Sequence, residues 1–207
     1  MPLNLDPRSN PDYIGYLKFN AKSGRWYTRN GDGLEVEVKN PTCVYDLATI
    51  KTGWLKFEEG IPPNGIWDEN GSIPPKPSEK HKRGFAVDVL SSKNIYGLKE
   101  LSSNSNGMIC AITRLYNEWE KTPEAKQGKL PVVQCASIQP IKSKFGVSYE
   151  PDLRIINQVD RPAAFPNPEP AKTTTKAPAP FDLDELDDDI PDFGDPEPNP
   201  KKDESEW

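Results

Sequence analysis

Only one stretch of this chain carries the apolar spacing of a helix. Met108, Ile109, Ala111, Ile112, Leu115, Tyr116 and Trp119 recur at intervals of three and four, which gathers side chains on one helical face, and Asn104 or Ser105 stands where an N-cap belongs. Elsewhere the period is two. Apolar residues alternate with polar ones through 34–38, 54–58 and 85–89, as in strands with one buried face, and 132–138 and 153–159 are two further apolar runs. The segments 13–19 and 25–29 predict a hairpin around Ser23-Gly24.

Strands on both sides of a single helix confine the chain to mainly β architectures. The order suits a five-stranded OB-fold barrel, whose helix lies between the third and fourth strands, whereas an immunoglobulin-like sandwich has no place for a central amphipathic helix. The core strands are expected at 34–46, 52–58, 84–101, 131–139 and 153–159, with the hairpin at 13–29 an addition at the front. No internal repeat is evident.

The apolar share, 34%, falls short of the roughly 45–50% of globular chains, and position explains it. The last 47 of the 207 residues hold 10 of the 23 prolines, 13 of the 32 acidic residues and 5 of the 26 basic ones. That stretch carries −8, which leaves +2 on residues 1–160 out of a total of −6. We therefore expect a folded domain over 1–160, a flexible Pro/Ala/Thr/Lys linker over 161–180 and a disordered acidic tail over 181–207. The tail interleaves Phe181, Leu183, Leu186, Ile190, Phe193 and Trp207 with its acids, a pattern suited to docking on a partner rather than to solubility alone.

The opening residues have no apolar signal core and no 18-residue apolar run occurs, so a soluble, cytoplasmic protein without a membrane partner is expected. Cys43, Cys110 and Cys135 are dispersed, and His81 is the single histidine. A zinc site would need all four; buried reduced thiols are the expectation. With one histidine, in a Lys80-His81-Lys82-Arg83 run, no nucleophile–histidine pair is expected, and no phosphate-binding glycine loop or H-E-x-x-H occurs. Glu58-Glu59 and Asp68-Glu69 read as solvated acids of turns. The chain is read as non-enzymatic, with no metal and no cofactor.

Aromatic residues repeatedly stand beside basic ones. Single-stranded nucleic acid rewards that pairing, because flat side chains cover unstacked bases while Lys and Arg follow the phosphates. The candidates are Tyr16 and Lys18; Arg25, Trp26, Tyr27 and Arg29; Trp54 and Lys56; Trp67, Lys80, Lys82 and Arg83 in and after the long proline-rich segment 60–83; and Lys142, Lys144 and Phe145 between the last two strands. Phe57 and Phe85 are assigned to the core. A connection as long as 60–83 could close over a bound strand.

Body and tail together resemble the phage-encoded and bacterial single-stranded DNA-binding proteins: an OB-fold body, a proline-rich linker and an acidic tail, here carrying Asp187-Asp188-Asp189-Ile190-Pro191. In the bacterial family an Asp-Asp-Asp-Ile-Pro-Phe ending docks onto replication, recombination and repair proteins through the terminal Phe and its carboxylate. Here Asp192 precedes Phe193 and fourteen residues follow it, while Asp203-Glu204-Ser205-Glu206-Trp207 again sets an aromatic behind acids. Either Phe193 or Trp207 is thus a candidate anchor. Leu130-Pro131-Val132-Val133 and Val159-Asp160-Arg161-Pro162 are similar to phage proteins of this type. The resemblance implies sequence-tolerant coating of single-stranded DNA in phage replication and recombination, with the tail recruiting partners and modulating DNA binding, and it leaves a homo-oligomer or cooperative filament open. The competing reading is a non-enzymatic phage adaptor or structural protein acting through protein contacts.

Overall fold

The computed structural model describes residues 15–166, apart from 59–60, 70, 92, 94 and 145. The tail candidates Asp187, Asp188, Asp189, Ile190, Pro191, Phe193 and Trp207, and the loop residue Phe145, lie outside the described residues. The fold is mainly β, a strongly curled, open half-barrel sheet with few helices. Its strands are β1 (Gly15–Asn20), β2 (Arg25–Arg29), β3 (Glu35–Val38), β4 (Thr42–Tyr45), β5 (Lys51–Glu58), β6 (Ile61–Trp67), β7 (Lys82–Ser91), β8 (Gly97–Ser103), β9 (Leu130–Ser143) and β10 (Gly146–Val159). They lie in the order β10-β9-β4-β7-β8-β1-β2-β3, and β5 joins β7 and carries β6 outside it. Among the described residues no helix is long and apolar enough to cross a membrane.

Among the described residues ten strands thus stand where five core strands and a hairpin were expected. The run 34–46 is two strands, because Asn40 takes a positive φ of 46° and Pro41 offers no N–H to continue a ladder. The halves part company: β3 is the far edge beside β2, and β4 lies between β7 and β9. The run 84–101 also folds back on itself. Tyr96 and Gly97, both at positive φ, turn it into the antiparallel pair β7–β8. Within 60–83, expected as a connection, β6 pairs with β5 alone; Pro62 and Pro63 are tolerated because an edge strand has no second neighbour to supply.

The front hairpin forms as expected, with Gly24 at φ 68° in its turn, but it is no addition. β1 pairs in parallel with β8, and Leu17, Phe19 and Trp26 belong to the core. The helix α1 (Asn106–Glu120) follows Ser105 and buries Met108, Ala111, Ile112, Leu115 and Trp119, the stripe its spacing predicted. It packs chiefly on β10. Cys43 and Cys135 are buried free thiols, and burial pushes Cys43 up to about 12.

The body does not stop at residue 160. Arg161 donates to both carboxylate oxygens of Asp46, at 2.5 and 2.6 Å, and Asp46 is fully buried. The guanidinium stands 5.5 Å from the ring centre of Phe165, itself part of the core. Residues 161–166, expected as the start of the linker, are therefore a clasp on the body.

Candidate nucleic-acid interface

Alternation along β1 and β2 separates the candidates cleanly. Leu17, Phe19, Trp26 and Thr28 are buried, so their neighbours Tyr16, Lys18, Arg25, Tyr27 and Arg29 share the opposite, outer face. Trp26, expected as a stacking platform, is 1% exposed and lies 4.9 Å from Phe19 in the core. It cannot reach a ligand. Tyr27, directly opposite Lys18, is half-exposed.

The outer face forms rows across the strands. Asp88 faces Glu100, Glu100 faces Tyr16, Tyr16 stands beside Arg29 with the guanidinium 5.5 Å from the ring centre, and Arg29 faces Glu35. In the next row Lys18, Tyr27 and Glu37 stand side by side. The Tyr16 hydroxyl donates to Glu35 at 2.5 Å; burial, and then this bond, push the phenol up and keep it protonated. Arg25 pairs with Glu37 at 3.1 Å. Two half-exposed rings and three cations thus line β1–β2, with carboxylates on β3 along one side and on β7–β8 along the other. Burial raises both Asp88 and Glu100; the charge of Asp46 adds to it at Asp88 and the charge of Asp88 adds to it at Glu100, while Lys51 favours ionisation of both.

A second aromatic-cation group sits on the wing made by β5, β6 and the start of β7. Trp54 faces Arg83 on β7 and Ile66 on β6. Thr52 faces Phe85, so the Trp54 side continues the core-facing surface rather than the outer one. The Trp54 ring lies 5.3 Å from the Arg83 guanidinium and 5.9 Å from the Lys76 ammonium, and its indole N–H donates to the Pro74 carbonyl at 2.7 Å. Residues 74–76 therefore strap the ring. Arg83 is committed to Asp68 through two bonds of 2.7 and 2.5 Å, and Thr52 donates to the same carboxylate at 2.5 Å. Burial alone would raise Asp68; these donors outweigh it and hold the carboxyl low. Lys56 and Lys80 both pair with Glu58, at 2.9 and 3.7 Å.

Trp67 faces Gly53 and so lies on the other side of the wing from Trp54. Its ring occupies space that a side chain on Gly65 would need, since a Cβ there would stand 2.9 Å from it. Lys82 is exposed at the start of β7. Phe57, assigned to the core, is 44% exposed; β7 pairs β5 only as far as Leu55 opposite Lys82, which leaves Phe57 without a neighbour there. Phe85 is in the core as expected.

Beyond Gln134 β9 pairs only with β10, and the two run on as an arm. Tyr149 donates its N–H to Ala21 at 2.8 Å, tying the arm to the β1–β2 turn. Lys142 and Lys144 are exposed near the tip. A cleft of about 160 Å³ lies between Arg25, Glu37 and Lys39 and the arm residue Ile138. The described candidates thus divide among three places: the outer β1–β2 lane, the strapped wing and the arm. Asp88 and Glu100 were missed from sequence, although their strand alternation, opposite to Val87 and Val89, marks both as outward-facing.

Among the described residues no group of three or more His, Cys, Asp and Glu could hold a metal ion. Compared with protein-family models, with curated proteins and with solved structures, the chain matches none of them.

Proposed function

We propose that the protein binds single-stranded DNA with little regard to sequence, on an OB-like body whose outer β1–β2 face is the platform, as the phage proteins it resembles do, and that its acidic tail recruits replication and recombination partners. The observation that carries this reading is the grouping of Tyr16, Lys18, Arg25, Tyr27 and Arg29 on one solvent-facing surface. Outward-facing rings for bases and cations on the same face for phosphates are the two requirements of sequence-tolerant binding. The arm that carries Lys142 and Lys144 is tied to the β1–β2 turn at Ala21.

The test is titration of labelled oligo(dT) at several salt concentrations. Affinity should fall steeply with salt, and replacing Tyr16 and Tyr27 together by Ala should weaken binding at least about tenfold, given roughly 1–3 kcal/mol per stacked base. Equal or stronger binding of duplex DNA, or indifference to the double replacement, counts against the platform. Removing 167–207 takes away 13 acidic and 4 basic residues and should tighten binding. The cut falls after 166 because Arg161 and Phe165 belong to the body.

A second reading, a non-enzymatic adaptor, draws on the arm, where Ile141 and Val147 are 38% and 51% exposed. It requires that oligo(dT) leave the fluorescence of the chain unchanged.

A further inference from the structure

The carboxylates bordering the lane form a pattern with its own meaning. Glu35 and Glu37 are exposed on β3, and Glu100 and Asp88 lie on the same face of β8 and β7, directly in line with Tyr16 and Arg29. Neighbouring strands are about 4.8 Å apart. Glu35 and Glu37 therefore stand one strand spacing, about 5 Å, from the β2 cations, whereas Glu100 and Asp88 stand two and three spacings, about 10 and 14 Å, from Arg29 on the other side.

A single strand has one row of phosphates. It can follow Arg29, Lys18 and Arg25 along the hairpin while its bases turn onto Tyr16 and Tyr27, and its charge need not cross either border. A duplex has two rows, on the two sides of grooves about 6 and 12 Å wide. With one row on the β1–β2 cations, the second comes down over Glu35 and Glu37 or over Glu100 and Asp88, where like charges at close range oppose it. We infer that these two carboxylate borders are the selectivity device of the lane: they direct a single strand along β1–β2 and reject double-stranded DNA.

The inference rests on the nucleic-acid reading above, and the experiment separates the two. Oligo(dT) and a duplex of the same length are titrated at one low salt concentration against the full chain and against two variants, Glu35→Gln/Glu37→Gln and Asp88→Asn/Glu100→Gln, each checked by thermal melting. In either variant duplex affinity should rise more than oligo(dT) affinity, narrowing the preference about three- to tenfold. If both affinities rise by the same factor, or the preference stays as it was, the borders contribute only general charge and the inference is overturned while the platform stands. A parent chain that binds neither ligand overturns the platform and the borders together. Should the half-buried Asp88/Glu100 variant fail to fold, the exposed Glu35/Glu37 variant decides.

Discussion

The β1–β2 lane and the β5–β6 wing are assembled from the same parts and put to opposite states. In each, a guanidinium stands over an aromatic ring, Arg29 on Tyr16 at 5.5 Å and Arg83 on Trp54 at 5.3 Å. In the lane the ring and its neighbours Lys18 and Tyr27 face outward from the sheet. In the wing the indole N–H is bound to Pro74, and the guanidinium is held by both oxygens of Asp68. A basic residue beside an aromatic one in sequence therefore has two structural outcomes, outward on the face of the sheet or strapped within the wing.

The largest expected effect tests the two sides of β2. Trp26→Ala should cost about 3–5 kcal/mol of stability by leaving a cavity against Phe19, while Tyr27→Ala should cost less than about 1 kcal/mol and lose oligo(dT) affinity instead. Denaturant unfolding beside a binding titration checks both. Similar stability losses would erase the division between core and platform on that strand.

The next effect contrasts the two guanidiniums. Asp68→Ala strips Arg83 of its carboxylate and should destabilise by about 1.5–3 kcal/mol, with the loss seen in thermal unfolding. Arg29→Ala, at an exposed side chain, should cost less than Asp68→Ala, its contact with the Tyr16 ring being worth under about 1 kcal/mol. Since the Asp68 carboxyl is held low, its contribution is present above its unfolded value and fades as pH falls through the folded one. A pH series of melts on Asp68→Asn should converge with the parent only at the acid end.

Gly84→Ala sharpens the contrast from the packing side. A Cβ there would stand 2.5 Å from the Ser103 carbonyl oxygen and 2.6 Å from Leu55 Cδ1, so about 1–3 kcal/mol of overpacking is expected, readable by denaturant unfolding. Gly33→Ala, with open space around it but φ 80°, should cost less.

The smallest effect concerns the lane's own border. Asp88 is raised by burial and by Asp46, and Glu100 by burial and by Asp88, with Lys51 opposing both shifts and Arg161 the first. Ionisation of a raised carboxyl costs stability at neutral pH, and that cost disappears as pH falls through the folded value. Asp88→Asn/Glu100→Gln should therefore melt slightly above the parent at neutral pH, with the gap closing in acid.

Much of this was legible in the sequence, for reasons that also explain the rest. Period two located β3, β5 and β7, and period 3.6 located α1, because each of these elements buries a single face. The breaks at Asn40-Pro41 and Tyr96-Gly97 carry a turn signal, a proline and a glycine, that the spans 34–46 and 84–101 run across. Trp26 was misjudged by its polar neighbours, although in a strand those neighbours point the other way and argue for burial. The strap over Trp54 had no sequence signal: Pro74 contributes only a backbone carbonyl. The clasp of Arg161 on Asp46 depends on two residues brought together by the whole fold.

That clasp has a consequence for the order in which the chain can acquire its structure. Its partners are 115 residues apart, and at about 5–20 residues per second of synthesis Asp46 waits roughly 6–23 s for Arg161 to emerge. Leu17 likewise waits for its β8 partner Leu101. The hairpin pairs β1–β2 and β2–β3 are local and can form at once, so the lane exists early with Trp26 and Leu17 bare on its back. The nascent chain therefore passes through a period in which the outer face of β1–β3 can already be formed while its core side is still open to aggregation.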